Sequence, residues 1–77
     1  MKVRVTQQHI DAGEPEHAEY CPVARAVAEA CPLIESVLVL HKKWWGDNVS
    51  HPLPRSAQRF IARYDAGKPV KPFAFIL

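Results

Sequence analysis

The chain has 77 residues, 48% of them hydrophobic and 23% charged, with a formal net charge of +2. A chain this short buries only about 60–65% of the surface it exposes when unfolded, which fits one domain and leaves little room for a deep enzyme cleft. The apolar share argues against disorder, and so small a net charge argues against strong autonomous binding to DNA.

Lys2 to Val5 alternates polar and apolar residues and predicts a short strand. Thr6 reads as the N-cap of a short helix, Gln7 to Ala12, closed by Gly13. Glu14 to Glu19 is an acidic, loop-like stretch interrupted by Pro15. Pro22 suits the first turn of a helix through CPVARAVAEA, which Pro32 stops. Its apolar stripe of Val23, Ala26, Val27 and Ala30 is narrow enough for close approach to a sheet. Ser36 to Leu40 is apolar on both faces and predicts a central strand, continuing through His41 to Trp45. Gly46-Asp47-Asn48 signals a turn, followed by a short return strand at Val49 to His51. Pro52 and Pro54 bracket the link into a helix from Pro54 to Asp65, which Ala66-Gly67 closes. Pro69 and Pro72 keep the next stretch extended, and Phe73 to Leu77 predicts a final strand. Together these elements give an α+β class: one small domain over 1–77, with a three- to four-stranded, mainly antiparallel sheet and two main helices packed on it.

The helix from Pro54 to Asp65 carries the strongest functional signal. Arg55, Arg59 and Arg63 are spaced i, i+4, i+8, so at ~100° per residue they lie within roughly 80° of one another. Ala57, Phe60, Ile61 and Tyr64 fall opposite and face a core. Arginine makes bidentate contacts with phosphates and carboxylates that lysine does not. The plainer reading of such a stripe is a solvated face. Lys42-Lys43-Trp44-Trp45 is a second candidate. Adjacent tryptophans on a strand point to opposite faces, so an exposed one beside the lysines would stack on a base or anchor a protein interface. The plainer reading is that both pack, one on each face. Charge is also segregated along the chain. Residues 1–36 hold three basic and six acidic residues, net −3, and residues 37–77 hold seven basic and two acidic, net +5. That split predicts a dipolar surface.

Four histidines and two cysteines invite a metal reading, with His17 and Cys21 spaced i, i+4. There is no Cys-x2-Cys or His-x3-His pair, and the Cys21 to Cys31 spacing is not that of a zinc ribbon, so neither a metal nor a cofactor is expected. A helix N-terminus would favour a thiolate at Cys21, with His17 or His9 as a base. No third orienting residue accompanies them, so no catalytic residue is expected. No apolar run approaches a membrane span, and no signal peptide is visible.

Three segments carry a resemblance. VTQQHIDAG contains Thr6-x-x-His9-Ile10-x-x-Gly13. CPVARAVAEA opens with Cys21-Pro22-Val23-Ala24. LPRSAQRFIARYDAGKPVKPFAFIL contains Asp65-x-Gly67-Lys68-Pro69-Val70-x-Pro72-Phe73. Together they are similar to a family of short proteins encoded in phage and prophage genomes, over about two thirds of the chain and leaving out Lys42 to Asn48. The resemblance implies a small non-enzymatic inhibitor that binds a host protein or ribonucleoprotein complex in the host cytoplasm. Defence systems such as CRISPR effectors are the favoured targets, which would make it an anti-CRISPR type of protein. Mimicry of DNA is disfavoured, because such mimics are strongly acidic. The expected partner-binding residues are Arg55, Arg59, Arg63, Lys42, Lys43, Trp44 and Trp45, on a monomer or small homo-oligomer. The alternative is a small nucleic-acid-binding module built from the basic helix and an exposed tryptophan.

Overall fold

A computed structural model describes all 77 residues. In chain order the elements are β1 (Lys2–Val5), α1 (Gln7–Ala12), α2 (Pro22–Ala30), β2 (Val37–Val39), β3 (Lys43–Gly46), β4 (Val49–Pro52), α3 (Arg55–Asp65) and β5 (Phe73–Ile76). The α+β class and the two main helices agree with the sequence. The strands, however, are divided between two antiparallel sheets, β1–β5 and β2–β3–β4, instead of forming one. Alternation along β1 buries Val3 and Val5 and leaves Lys2 and Arg4 in solvent. Helix α2 packs against β1, α1 and β2, and so touches both sheets. Its contact face consists of Val23, Ala24, Ala26 and Val27, all buried. Phe60 stacks on Phe73 at 4.8 Å and Phe73 on Phe75 at 5.6 Å, which fastens α3 to β5.

Two expectations about Ser36 to Leu40 need correction. The strand is at the edge of its sheet, and β3 is the central strand. Nor does it continue into Trp45. The Leu40 N–H donates to the Lys43 carbonyl at 2.9 Å, closing a tight turn at His41-Lys42 that reverses the chain. Apolar character on both faces reflects cover from elsewhere. The Val39 N–H donates to Ala18 O at 2.8 Å, so the loop before α2 closes the outer edge of β2. Leu40 is half exposed.

Polar side chains hold the joints. Thr6 and His9 form a reciprocal cap on α1: Thr6 Oγ1 accepts the His9 N–H at 3.3 Å, and His9 Nδ1 accepts the Thr6 N–H at 3.0 Å. With Nδ1 acting as acceptor, the ring proton is on Nε2, which donates to Glu29 Oε2 at 2.7 Å and ties α1 to α2. The Tyr64 hydroxyl meets the carbonyls of Gly13 at 2.9 Å and Ile10 at 3.1 Å, joining α3 to the end of α1. Asp47 and Asn48 adopt positive φ, 48° and 70°, as the β3–β4 hairpin requires. Asp47 Oδ1 also accepts the N–H groups of Glu35 at 3.1 Å and Ser36 at 2.9 Å.

Gly46 is needed for space. A Cβ there would lie 2.8 Å from Trp44 Cζ3 and 3.1 Å from Ile34 Cδ1. Trp44 is buried in the core. Gly46→Ala is therefore expected to lower stability by about 1–3 kcal/mol through overpacking. Urea unfolding checks this, and an unchanged midpoint would show that the ring has room to shift.

Candidate functional site

The candidate site centres on the start of α3. Pro54 precedes the helix and offers no side-chain cap, and the first turn holds no acidic residue. The first unbonded N–H groups therefore present the positive end of the helix dipole without compensation. Ala57, Phe60 and Ile61 are buried, and Arg55, Arg59 and Arg63 are exposed on the other side, as the helical period requires. The Leu53 N–H donates to the Lys42 carbonyl at 3.0 Å. That bond ties the start of β3 to the residues entering α3, and Lys42 and Lys43 are exposed.

None of the ten lysines and arginines takes part in an ion pair. The two short contacts to carboxylates both involve histidine, His9 to Glu29 and His17 to Glu14. Arg63 is nonetheless engaged: its Nε and Nη2 donate to Pro69 O at 3.3 and 3.1 Å and brace the turn after α3. The opposite end of the helix is acidic. Asp65 Oδ1 accepts the Glu16 N–H at 2.8 Å, docking the Glu14 to Glu19 loop there. Positive charge at the N-terminus and negative charge at the C-terminus both oppose the helix dipole, at roughly 0.3–1 kcal/mol each when exposed.

The tryptophans separate as alternation demands. Trp44 is buried and stacks on His51 at 4.4 Å with its ring 20° from parallel. Trp45 lies on the other face of β3 and is half buried. Arg55 and Arg59 thus lie exposed along the outer face of α3, and the backbone of Lys42 is bonded to Leu53, two residues before that helix. Arg63 is committed to its turn, Trp44 lies in the core, and Trp45 is partly accessible.

Two further features are built by distant segments, the second of them around the His17–Cys21 pair noted in the sequence. An apolar groove of about 680 Å³ is lined by Ile34, Trp44, Leu53 and Ile76, among others. A smaller cavity of about 250 Å³ gathers Glu16, His17, Cys21, His41 and Asp65. No three histidine, cysteine or acidic side chains converge there in a geometry that holds a metal ion. Cys21 packs in the core at the start of α2, and a lowered thiol pKa from the helix N-terminus is not found. Burial pushes its thiol up, the Asp65 carboxylate adds to this, and the weak Ala24 N–H contact to Sγ at 3.4 Å does not offset them. No helix is long and apolar enough to cross a membrane. No protein-family model, curated protein or solved structure matches the chain.

Both cysteines are free, with Cys21 buried and Cys31 partly accessible. A thiol reagent at neutral pH is expected to modify Cys31 at least tenfold faster than Cys21, as read by mass spectrometry of the digested protein. The folded-state pKa of Cys21 lies above its unfolded value, so the native state holds the proton more tightly. Stability should therefore fall as pH rises above the ordinary thiol value of about 8.5. Cys21→Ala should flatten that slope between about pH 8.5 and 9.5 in urea titrations, below the range in which Tyr64, also raised by burial, begins to contribute.

Proposed function

We propose that this chain is a small, non-enzymatic binding protein that uses the basic end of α3 to occlude an anionic surface on a larger host complex. The carrying observation is that Arg55 and Arg59 are exposed and unpaired on the outer face of α3, with Arg55 in a first turn whose dipole disfavours positive charge, and that the backbone of Lys42 is joined to the residues entering that helix. Charges that cost stability and satisfy no internal partner fit a surface whose partner is external. Arg55 and Arg59 suit bidentate contact with carboxylate or phosphate groups, and the lysines add long-range attraction.

The resemblance to short phage-encoded proteins directs the choice of target. The favoured partner is a bacterial defence complex, with a CRISPR effector first among them, met in the host cytoplasm as an anti-CRISPR protein would meet it. Trp45 can join the contact from its partly accessible position, whereas Trp44 supports the site from within the core. No cofactor is required for such a role.

The test is expression in bacteria with active CRISPR immunity, read as plaquing of a targeted phage, followed by affinity capture at near-physiological salt. The expected results are restored plaquing and capture of the effector. Unchanged plaquing with no captured complex overturns the proposal. Salt-sensitive shifts of bare DNA or RNA, with no protein partner, would redirect the same residues to a nucleic-acid-binding module.

Arg59→Glu reverses charge in the middle of the stripe and should weaken partner binding at least tenfold, about 1.4 kcal/mol. Stability should stay within about 0.5 kcal/mol, since the side chain is exposed and unpaired. Arg63→Glu should also lower the melting temperature, because it removes the bonds to Pro69 O. Normal binding by a folded Arg59→Glu variant would reduce the stripe to a solvated face.

A further inference from the structure

Strand β5 leaves one row of backbone groups unused. Met1 and Leu77 exchange both backbone bonds, Leu77 N–H to Met1 O at 2.8 Å and Met1 N to Leu77 O at 2.9 Å. In an antiparallel ladder bonded pairs recur at every second residue. With Val3 opposite Phe75 and Val5 opposite Phe73, those pairs bond, and the N–H and C=O groups of Ala74 and Ile76 turn away from β1. No other backbone bond within the chain takes them up. The element that runs alongside β5 is β1, and Ala74 and Ile76 are both exposed, Ile76 by 64%.

The other sheet edges are guarded. The Val39 N–H of β2 is bonded to Ala18 O. β4 ends in Pro52, which has no N–H to offer. β1 carries Lys2 and Arg4, with Ala26 and Glu29 of α2 close beside them. β5 has no charge and no proline along Phe73–Ile76, and no backbone bond closes its outer groups, although Phe60 of α3 stacks on Phe73. Open, uncharged, apolar edges recruit another strand.

We propose that this edge pairs with the same edge of a second copy, forming a two-fold symmetric dimer in which the two-stranded sheets merge. The register follows from the free groups. Ala74 must lie opposite Ile76 of the partner subunit, exchanging both backbone bonds, and the two-fold axis passes through the Phe75 position. This register also sets each exposed Ile76 against an alanine across the strands, covering apolar surface. Lys2 and Arg4 lie on the outer strands, so the central contact brings no like charges together. A standard interface needs about 800 Å² per partner, a large share of a total surface of 5063 Å². A four-residue edge supplies much less, so the dimer is weak and depends on concentration.

Sedimentation equilibrium from about 10 μM to about 1 mM spans the range in which an interface below standard size associates. A monomer–dimer equilibrium is expected, with exchange of the Ala74 and Ile76 amides slowing as concentration rises. Ala74→Pro removes one outward N–H in a strand position that tolerates proline. It should remain folded by circular dichroism and lose the dimer. Should that variant unfold, Ile76→Lys decides, because it places a charge on the edge without touching the backbone. A wild-type chain that stays monomeric throughout the range overturns the proposal. So does a dimer that survives in a folded variant. Edge amides protected only by an added alternating valine–threonine peptide, and never by the chain's own concentration, assign the edge to a foreign strand and overturn self-pairing.

Discussion

Helix α2 has to lie against both sheets at once, and the rest of the architecture follows from how thin it is. Val23, Ala24, Ala26 and Val27 are buried almost completely, and none extends past a β-branch. At close-packed density a larger residue at Ala26 would push sheet and helix apart. The same closeness appears where α1 meets α2. A Cβ on Gly13 would come within 2.7 Å of Pro22 Cδ. The His9–Glu29 bond then fixes how the two helices sit, and Tyr64 carries that frame to α3. The exposed side of α3 therefore rests on successive joints, the last of them at Tyr64, next to Arg63.

Regular periodicity was legible and long-range pairing was not. The two faces of α3 follow from the spacing of Arg55, Arg59 and Arg63 against Phe60 and Ile61, because a period of 3.6 sustained over three turns admits one arrangement. Thr6, Pro22 and Asp47-Asn48 marked their boundaries through local chemistry that needs no distant partner. The turn at His41-Lys42 went unseen because it contains no glycine, asparagine or proline; the bond from Leu40 to Lys43 makes it. The division into two sheets was equally hidden, since nothing in Lys2–Val5 or Phe73–Ile76 says that these two strands pair with each other and with no third strand.

At the candidate site, alternation separated Trp44 from Trp45, but what lies across the sheet decided which one is buried. Gly46 leaves room beside Trp44, where Ile34 also packs, and His51 covers its face. Arg63 shows the converse. Its position on the helix is as periodic as that of Arg59, yet the chain returns after Gly67 and brings Pro69 O within reach. Identical residues at identical spacing thus divide between an internal brace and a free charge, and only the path of the loop distinguishes them. The acidic loop at Asp65 turns a charge bias along the chain into a bias along one helix.

Pairing β1 with β5 makes the order of synthesis matter. Lys2–Val5 is synthesised before the other elements of this fold, and its partner Phe73–Ile76 after them. Until then Val3 and Val5 have no strand beside them, and the sheet that α2 covers at β1 is incomplete. Closing so long a loop costs only slightly more than closing one half its length, by about 0.6 kcal/mol. The burden is therefore one of time more than of energy. The β2–β3–β4 meander and α3 can form from local pieces during translation, whereas the β1–β5 sheet closes in a single late event that involves both ends of the fold.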